Sequence, residues 1–387
     1  MTDVVVVGAG PVGALLAAEL QRRGVDARVL ERRPTAGGGT RAIGLHAPVL
    51  AALEESGLTE RLLDGAQRVP RGLARSGEHV LGVVRFDRLS ARFPFVATLP
   101  QAQTEAVLAE VSPAPDRGVE VTAVRPRRDR VELETVRQGG ADDGAIDRVS
   151  APIVVLAGGW TSRALAYREG RVPTRSYPDR YLMSDIPVPD RPHADSAVVN
   201  LSPGGVLESF PLPGSMRRVV AWDAAADPAV DLPEVRVQRL RSALRARGEA
   251  AVADAVQTAT AFGIRRVCAP RLRRGRLFVI GDAAHEVSPI GGQGMNLGLL
   301  DAVGLAPLLT RWVHEGRAPE PELAAWERRR IRSAVRAGRL AAVNTVLGRP
   351  RSGAADLARR MLVTGMLTPP FGRGFAWAYS MGLDAGA

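Results

Sequence analysis

The chemistry-bearing residues of this chain begin at its start. Gly8-Ala9-Gly10-Pro11-Val12-Gly13 spells G-x-G-x-x-G, and Glu31 follows at the end of a second apolar run. Gly8 permits a tight turn, Gly10 lets a pyrophosphate approach the backbone, and Gly13 lets helix and strand pack closely. A helix opening there offers unpaired N–H groups and a positive dipole end to an anion. Glu31 is placed to accept hydrogen bonds from a ribose diol. The elements that must hold these groups are legible around them. Val4-Val5-Val6-Val7 is unbroken and apolar, as a strand buried on both faces should be. Apolar residues recur at helical spacing from Val12 to Arg23, Gly24 is placed as a C-cap, and Ala27 to Leu30 reads as the second strand. This strand–turn–helix–strand context points to a bound adenine dinucleotide; the plainer reading is a glycine-rich turn in an ordinary α/β protein.

A second constellation lies far downstream. Leu277 to Ile280 forms an apolar strand ending in Gly281-Asp282, and Ala283-Ala284-His285 runs on through Pro289 to Gly291-Gly292-Gln293-Gly294-Met295-Asn296. An acid at the carboxyl end of a strand sits where open α/β sheets bind ligands, and Asp282 can accept from sugar hydroxyls. The glycine-rich turn opens a helix at Met295 or Asn296. Its N–H groups could stabilise negative charge on a ring oxygen, such as a reduced isoalloxazine develops. His285 either touches the pyrophosphate or packs as a cap. His46 has a similar choice, between the flavin edge and a helix-start hydrogen bond.

Composition narrows the function classes. The 387 residues are 45% hydrophobic and 24% charged, ordinary for a globular protein of about two domains. No stretch approaches a membrane span, and the start lacks a basic n-region, so no secretory signal is expected. The single cysteine, Cys268, fits a reducing cytosol and a cytoplasmic protein. The formal net charge is +11, yet every basic residue is arginine. With only 4% aromatic residues, no base-stacking surface is visible, so Arg328-Arg329-Arg330 reads as a solvated helix face rather than a nucleic-acid site. Five scattered histidines, His79, His193 and His314 among them as surface or loop residues, and no cysteine cluster give no expectation of a metal.

Along the chain, an amphipathic helix is expected from Pro48 to Leu63, short strands from Val69 to Phe95, and a helix from Thr104 to Val111 after Leu99-Pro100-Gln101. Val119–Val124 and Val131–Val136 read as a hairpin, Gly139 to Gly144 as a polar loop tip, and Ile153–Ala157 as a buried strand. Dense proline and charge from Arg171 to Asp195 suggest a crossover into a second domain. There Ser196–Ser202, Val206–Leu212 and Arg218–Asp223 read as antiparallel strands, with a helix from Pro233 to Arg247 laid on them. The remainder is helical, broken at Pro350 and Pro369-Pro370.

Taken together, four motifs in order make the chain resemble the FAD-dependent monooxygenases of the p-hydroxybenzoate hydroxylase type, including bacterial aromatic and polyketide hydroxylases. They are Gly8/Gly10/Gly13 with Glu31, Thr40-Arg41-Ala42-Ile43-Gly44-Leu45-His46, Leu99-Pro100-Gln101 with Thr104-Glu105, and Gly281 through Asn296. The resemblance implies that Glu31 holds the adenosine ribose, that Arg41, Gln101 and Asp282 hold the ribityl and phosphate portion, and that Pro289 and Gly291, Gly292, Gln293, Gly294, Met295 and Asn296 border the flavin. Pro11, Val12 and Arg32 complete the expected cofactor-binding set. One motif departs from the family: where an Asp-Gly pair serves both FAD and the nicotinamide donor, this chain reads Ala157-Gly158-Gly159-Trp160.

The expected architecture is α/β: a Rossmann-like FAD-binding domain (1–70, 98–172 and 265–387) with an inserted antiparallel or mixed-sheet substrate domain (71–97 and 173–264) and C-terminal helices. The ending from Phe375 to Leu383 suggests a short form without a thioredoxin-like domain, as a monomer or homodimer. The expected activity uses NADPH or NADH and O2 to oxygenate an aromatic or polyketide-like molecule of secondary metabolism, as in antibiotic biosynthesis. The substrate would lie near Met183, Phe210, Pro211 and Trp222, which plain sheet core would also explain. A flavin oxidase or reductase, favoured by Gly158, and a non-enzymatic flavin-binding accessory protein are the alternatives. No general base can be named from the sequence.

Overall fold

Val4–Val7 (β1) is buried along its whole length because it has neighbours on every side. It pairs in parallel with Ala27–Glu31 (β2) on one edge and with Ile153–Leu156 on the other. Leu277–Val279 extends the same sheet in parallel beyond 153–156, giving a six-stranded layer in the order 273–274, 277–279, 153–156, 4–7, 27–31, 116–117. β-branched residues facing packed neighbours on both sides need no polar alternation. This computed structural model describes residues 2–37, 42–138, 146–188, 194–224 and 231–384. The expected loop tip from Gly139 to Gly144, and His193, lie outside the described residues.

Pro11–Arg22 (α1) begins with proline at its first turn and gives way at Gly24, whose φ is 77°. It lies against the long helix Gly294–Glu315, where Val12 fills the place a side chain at Gly298 would need: a Cβ there would stand 2.5 Å from Val12 Cγ2. The expected hairpin is present as Val119–Pro126 and Val131–Arg137, with Ile146–Ala151 added as a third antiparallel strand.

The second layer is an eight-stranded sheet, in the order 285–286, 260–268, 174–187, 216–223, 205–212, 197–202, 71–76, 79–85. One face carries Leu182, Ile186, Leu207, Val219 and Ala221 against Leu240 and Leu244 of helix Pro233–Arg245. The opposite face carries Tyr181, Met183, Val206 and Val220 toward Val363 and Leu367 of helix Gly353–Leu367. The small sheet of Gly44–Leu45, Val96–Thr98 and Gln67–Val69 bridges the layers, with Thr98 Oγ1 donating to Pro211 O at 2.6 Å.

Two expectations about elements need amending. The proline-rich stretch from Arg171 to Asp195 holds an element the sequence did not announce: Thr174–Pro187 is a fourteen-residue strand near the middle of the large sheet. Pro178 falls at the irregularity between Ser176 and Arg180, where pairing with 260–268 lapses, and Pro187 is the last residue, so neither removes a ladder hydrogen bond from a regular run. The helix expected from Pro48 to Leu63 is two, Ala47–Ala52 and Leu58–Asp64, because Gly57 takes a φ of 72° between them. The C-terminal helices run Gly294–Glu315, Glu320–Gly348, Gly353–Leu367 and Phe371–Tyr379, with breaks at the expected prolines. No helix is long and apolar enough to cross a membrane among the described residues.

Candidate functional site

The turn after β1 is shaped by contacts that only glycine allows. Gly8 has a φ of 108°, and a Cβ there would stand 2.5 Å from Gly158 Cα. A Cβ on Gly13 would stand 2.0 Å from Gly8 O, which is why helix and strand close so tightly. Gly10 is different. Nothing lies within 4 Å of where its Cβ would be, so its bare backbone faces open space. That space is a cavity of about 930 Å³, bordered by Gly8, Gly10, Pro11, Val12, Glu31 and Arg32. Glu31 is buried, and its Oε2 accepts from Ala9 N–H at 2.8 Å while Oε1 accepts from the Arg33 backbone and guanidinium at 2.9 and 3.0 Å. Burial alone would raise its pKa, but the hydrogen bonds from Arg33 and Ala9 prevail and hold it below the usual glutamate value.

Facing the fingerprint across the cavity are Gly281, Asp282, Pro289, Gly291, Gly292, Gly294 and Met295. Their turn is built on a buried network that sequence reasoning missed. Asp301, fully enclosed, accepts from Gly281 N–H at 3.0 Å and meets His285 Nε2 at 2.6 Å through Oδ2, while Oδ1 accepts from Arg330 Nε at 2.8 Å. His285 therefore braces this turn from behind and is not among the cavity-lining residues. Burial works against the Asp301 charge, yet His285 and Arg330 hold its pKa below the ordinary aspartate value. Arg163 adds a second brace, donating from Nε to Ala283 O at 3.0 Å and from Nη2 to Glu286 Oε1 at 2.6 Å.

Asn296 and Gln293 also act from outside the cavity lining. Asn296 is wholly buried, donating to Gly44 O at 2.8 Å and Gly292 O at 3.0 Å and accepting from His46 N–H at 2.8 Å, so it staples the glycine turn to residues 44–46. Gln293 donates to Tyr379 O at 3.2 Å and ties the turn to the last helix. The His46 imidazole lines the cavity, and burial drives its pKa down to about 4 despite bonds to the backbone of Gly291 and Gly292. Gln101 reaches the cavity from the start of helix Gln101–Ala109, donating to Glu105 Oε1 at 2.9 Å and accepting from Ala42 N–H at 3.4 Å. Thr40 and Arg41 lie outside the described residues.

The same cavity continues without a partition to the large sheet. Met183 and Phe210 line it there, with Val206 and Val220 between strands. Pro211 has the opposite strand parity and is not among the lining residues; Trp222 turns its indole N–H to Asp179 Oδ1 at 3.3 Å and stands beside a separate shallow recess. Glu208 lines the cavity between Val206 and Phe210 and was not foreseen. The signal was available: in Gly205-Val206-Leu207-Glu208-Ser209-Phe210 it shares parity with two apolar residues. Burial pushes its pKa up to about 8.

These residues fit an FAD. A glycine cradle open to the cavity meets a helix N-terminus for the pyrophosphate, Glu31 borders the place for a ribose, and a second glycine turn opens helix Gly294–Glu315 on the far wall. Comparison with known proteins gives the same cofactor. The chain is 33% identical over 343 residues to 6-methylpretetramide 4-monooxygenase of Streptomyces rimosus, which covers 85% of this chain and 59% of that protein. It is 30% identical over 381 residues to dialkyldecalin synthase of Streptomyces rugosporus, covering 94% of this chain and 76% of that one. In fold it is similar to the crystal structure of p-nitrophenol 4-monooxygenase from Pseudomonas putida, with a TM-score of 0.85 at 23% identity over 98% of this chain and 97% of that one. The chain spans about three-fifths of the length of several curated relatives, the first named here among them. Residues 1–341 match the FAD binding domain family, and the chain belongs to that family.

Proposed function

We propose that this chain is an FAD-dependent monooxygenase, using NADPH or NADH and O2 to oxygenate a small aromatic or polyketide-like molecule of secondary metabolism. One observation carries the reading: a single cavity joins the dinucleotide fingerprint to an apolar sheet face, which gives a cofactor ring and a substrate one continuous space to meet in. The names of relatives such as 6-methylpretetramide 4-monooxygenase support it. Bound flavin supplies the redox and oxygen chemistry. The protein's own groups do the rest. The open backbone at Gly10 and the start of α1 bind the pyrophosphate, and Glu31, Gln101 and Asp282 orient the sugar and ribityl portions. The turn from Gly291 to Gly294, braced by Asn296, presents N–H groups where charge develops on the ring. Val206, Phe210, Val220 and Met183 exclude water and lay a flat substrate against the sheet. The test is turnover of FAD-loaded protein with NADPH and heavy oxygen gas over a panel of polycyclic phenols. Label from O2 in the product is the expected result, and NADPH oxidation that yields only unlabelled product would overturn the reading.

A second reading rests on Gly158. Gly158 lines the cavity at the position where the family resemblance implies a carboxylate serving both FAD and the nicotinamide donor. Its similarity to a dialkyldecalin synthase, a name that does not state oxygenation, points the same way. In that case the chain is a flavin oxidase or reductase that inserts no oxygen, and the same experiment would show product without label from O2.

A further inference from the structure

The apolar wall of the cavity contains one carboxyl group that the fold does not use. Glu208 is 3% exposed, lies in a central strand, and is flanked in register by Val199 and Val220, with Val206 and Phe210 beside it on the same face. Burial alone moves its ionisation, with no charged neighbour offsetting it among the described residues. The nearby titratable groups have other fates. Arg218 lines the same cavity but is forked onto Asp185, with Nε and Nη2 each 2.6 Å from a carboxylate oxygen. Tyr181 from the adjacent strand and Tyr379 from the last helix are both held in the neutral form, by burial and then by the Glu208 charge. Arg349, near Tyr181, is committed to Asp179 at 2.8 Å. Asn344, Leu347, Val363 and Met366 bring no charge from the covering helices. His46, further along the cavity, is neutral.

We propose that Glu208 is the proton acceptor for an acidic hydroxyl of the substrate, so that the chamber takes neutral phenols or enols and rejects carboxylates. The inference rests on the reading of this chamber as the substrate site. In the step, the substrate O–H bond breaks, an O–H bond forms on the ionised Glu208 carboxylate, and the electron pair stays on the substrate oxygen. The resulting phenolate directs electron density to its ortho and para carbons, or the enolate to its α carbon, where an electrophilic oxygen is accepted. No net charge enters the apolar chamber, because proton donor and acceptor are both inside it. A substrate carboxylate would add a second negative charge beside Glu208, where Arg218 is already paired with Asp185.

Binding to the FAD-loaded protein tests this without turnover. The probes are 2-naphthol and its methyl ether, 2-methoxynaphthalene, titrated from about pH 6.5 to about pH 9, below the range in which a simple phenol ionises in water. Perturbation of the flavin absorbance reports occupancy. The ether has no proton to give, so it requires Glu208 already neutral, and its affinity should fall about tenfold per pH unit above about 8. The phenol donates its own proton and should hold its affinity within about threefold over the same range. In Glu208→Gln the two probes should show the same flat profile, and Glu208→Asp should restore the difference. Parallel profiles for phenol and ether in the unaltered protein overturn the proposal, a result that needs no variant to fold. Persistence of the difference in Glu208→Gln also overturns it. Failure of both probes to bind at any pH overturns the chamber reading itself, whereas labelled product in the heavy-oxygen experiment combined with parallel profiles leaves oxygenation standing and removes Glu208 from it.

Discussion

Asp301 is enclosed on all sides and still carries a charge, because Arg330 and His285 share it and Gly281 N–H points at it. An arrangement of this kind adds little over a well-packed apolar core, but breaking it by removing one partner's charge is costly. In Asp301→Asn the Arg330 guanidinium, 3% exposed along its side chain, stays buried with its main counter-charge gone. Urea denaturation should show a loss of about 3–5 kcal/mol. The same variant should bind FAD more weakly, since asparagine leaves one acceptor oxygen where Gly281 N–H, His285 and Arg330 now share two; unchanged stability and affinity would show that the network is idle. Glu208 is the opposite case: a carboxyl with no charged group offsetting its burial among the described residues, so that its ionised form is a stronger base than an ordinary glutamate. Sequence reasoning missed both. Asp301 and Arg330 come together only when helices Gly294–Glu315 and Glu320–Gly348 pack, whereas Glu208 was legible through the parity it shares with Val206 and Phe210, though the strand alone does not say what that face borders.

Among the elements, those that were legible are the ones whose chemistry is local. β1, the glycine turn, α1 and β2 are contiguous, and their change of hydrophobic period marks each boundary. Thr174–Pro187 was hidden because proline usually ends a strand, whereas here Pro178 sits where pairing is already irregular. The turn after Ile153–Leu156 offers a direct test of the motif that departs from its family. A Cβ at Gly158 would lie 3.1 Å from Ser162 Cβ and 3.2 Å from its Oγ, and Gly158 is not in the left-handed backbone region. Ser162 therefore has to give slightly. Gly158→Asp should cost about 1–3 kcal/mol and should speed reduction by NADPH, followed anaerobically through loss of flavin absorbance. A rate equal to that of the unaltered protein would clear Gly158 of limiting the reaction.

At the scale of the whole molecule, cofactor binding and folding are one equilibrium. The residues that border the cavity come from both sheets and from the C-terminal helices, so FAD bound there favours the assembled chain alone. Free FAD at a hundredfold excess over its dissociation constant should add about 2.7 kcal/mol, read as a raised Tm. Far-ultraviolet circular dichroism and flavin release should report a single melting transition; two separate ones would mean that the layers unfold independently. The route of the chain explains why they should not. It builds 4–7 and 27–31 in the six-stranded sheet, 71–76 and 79–85 in the large one, 116–117 and 153–156 in the first again, strands between 174 and 268 in the second, then 273–279 and 285–286, one in each. Such interleaving has a practical consequence for anyone who wishes to transplant specificity between relatives. The sheet wall of the cavity cannot be exchanged as one cassette: a chimera must be sewn at each passage between layers, and the seam beside Arg163, whose guanidinium joins residues 282–286, is the one a graft must carry intact.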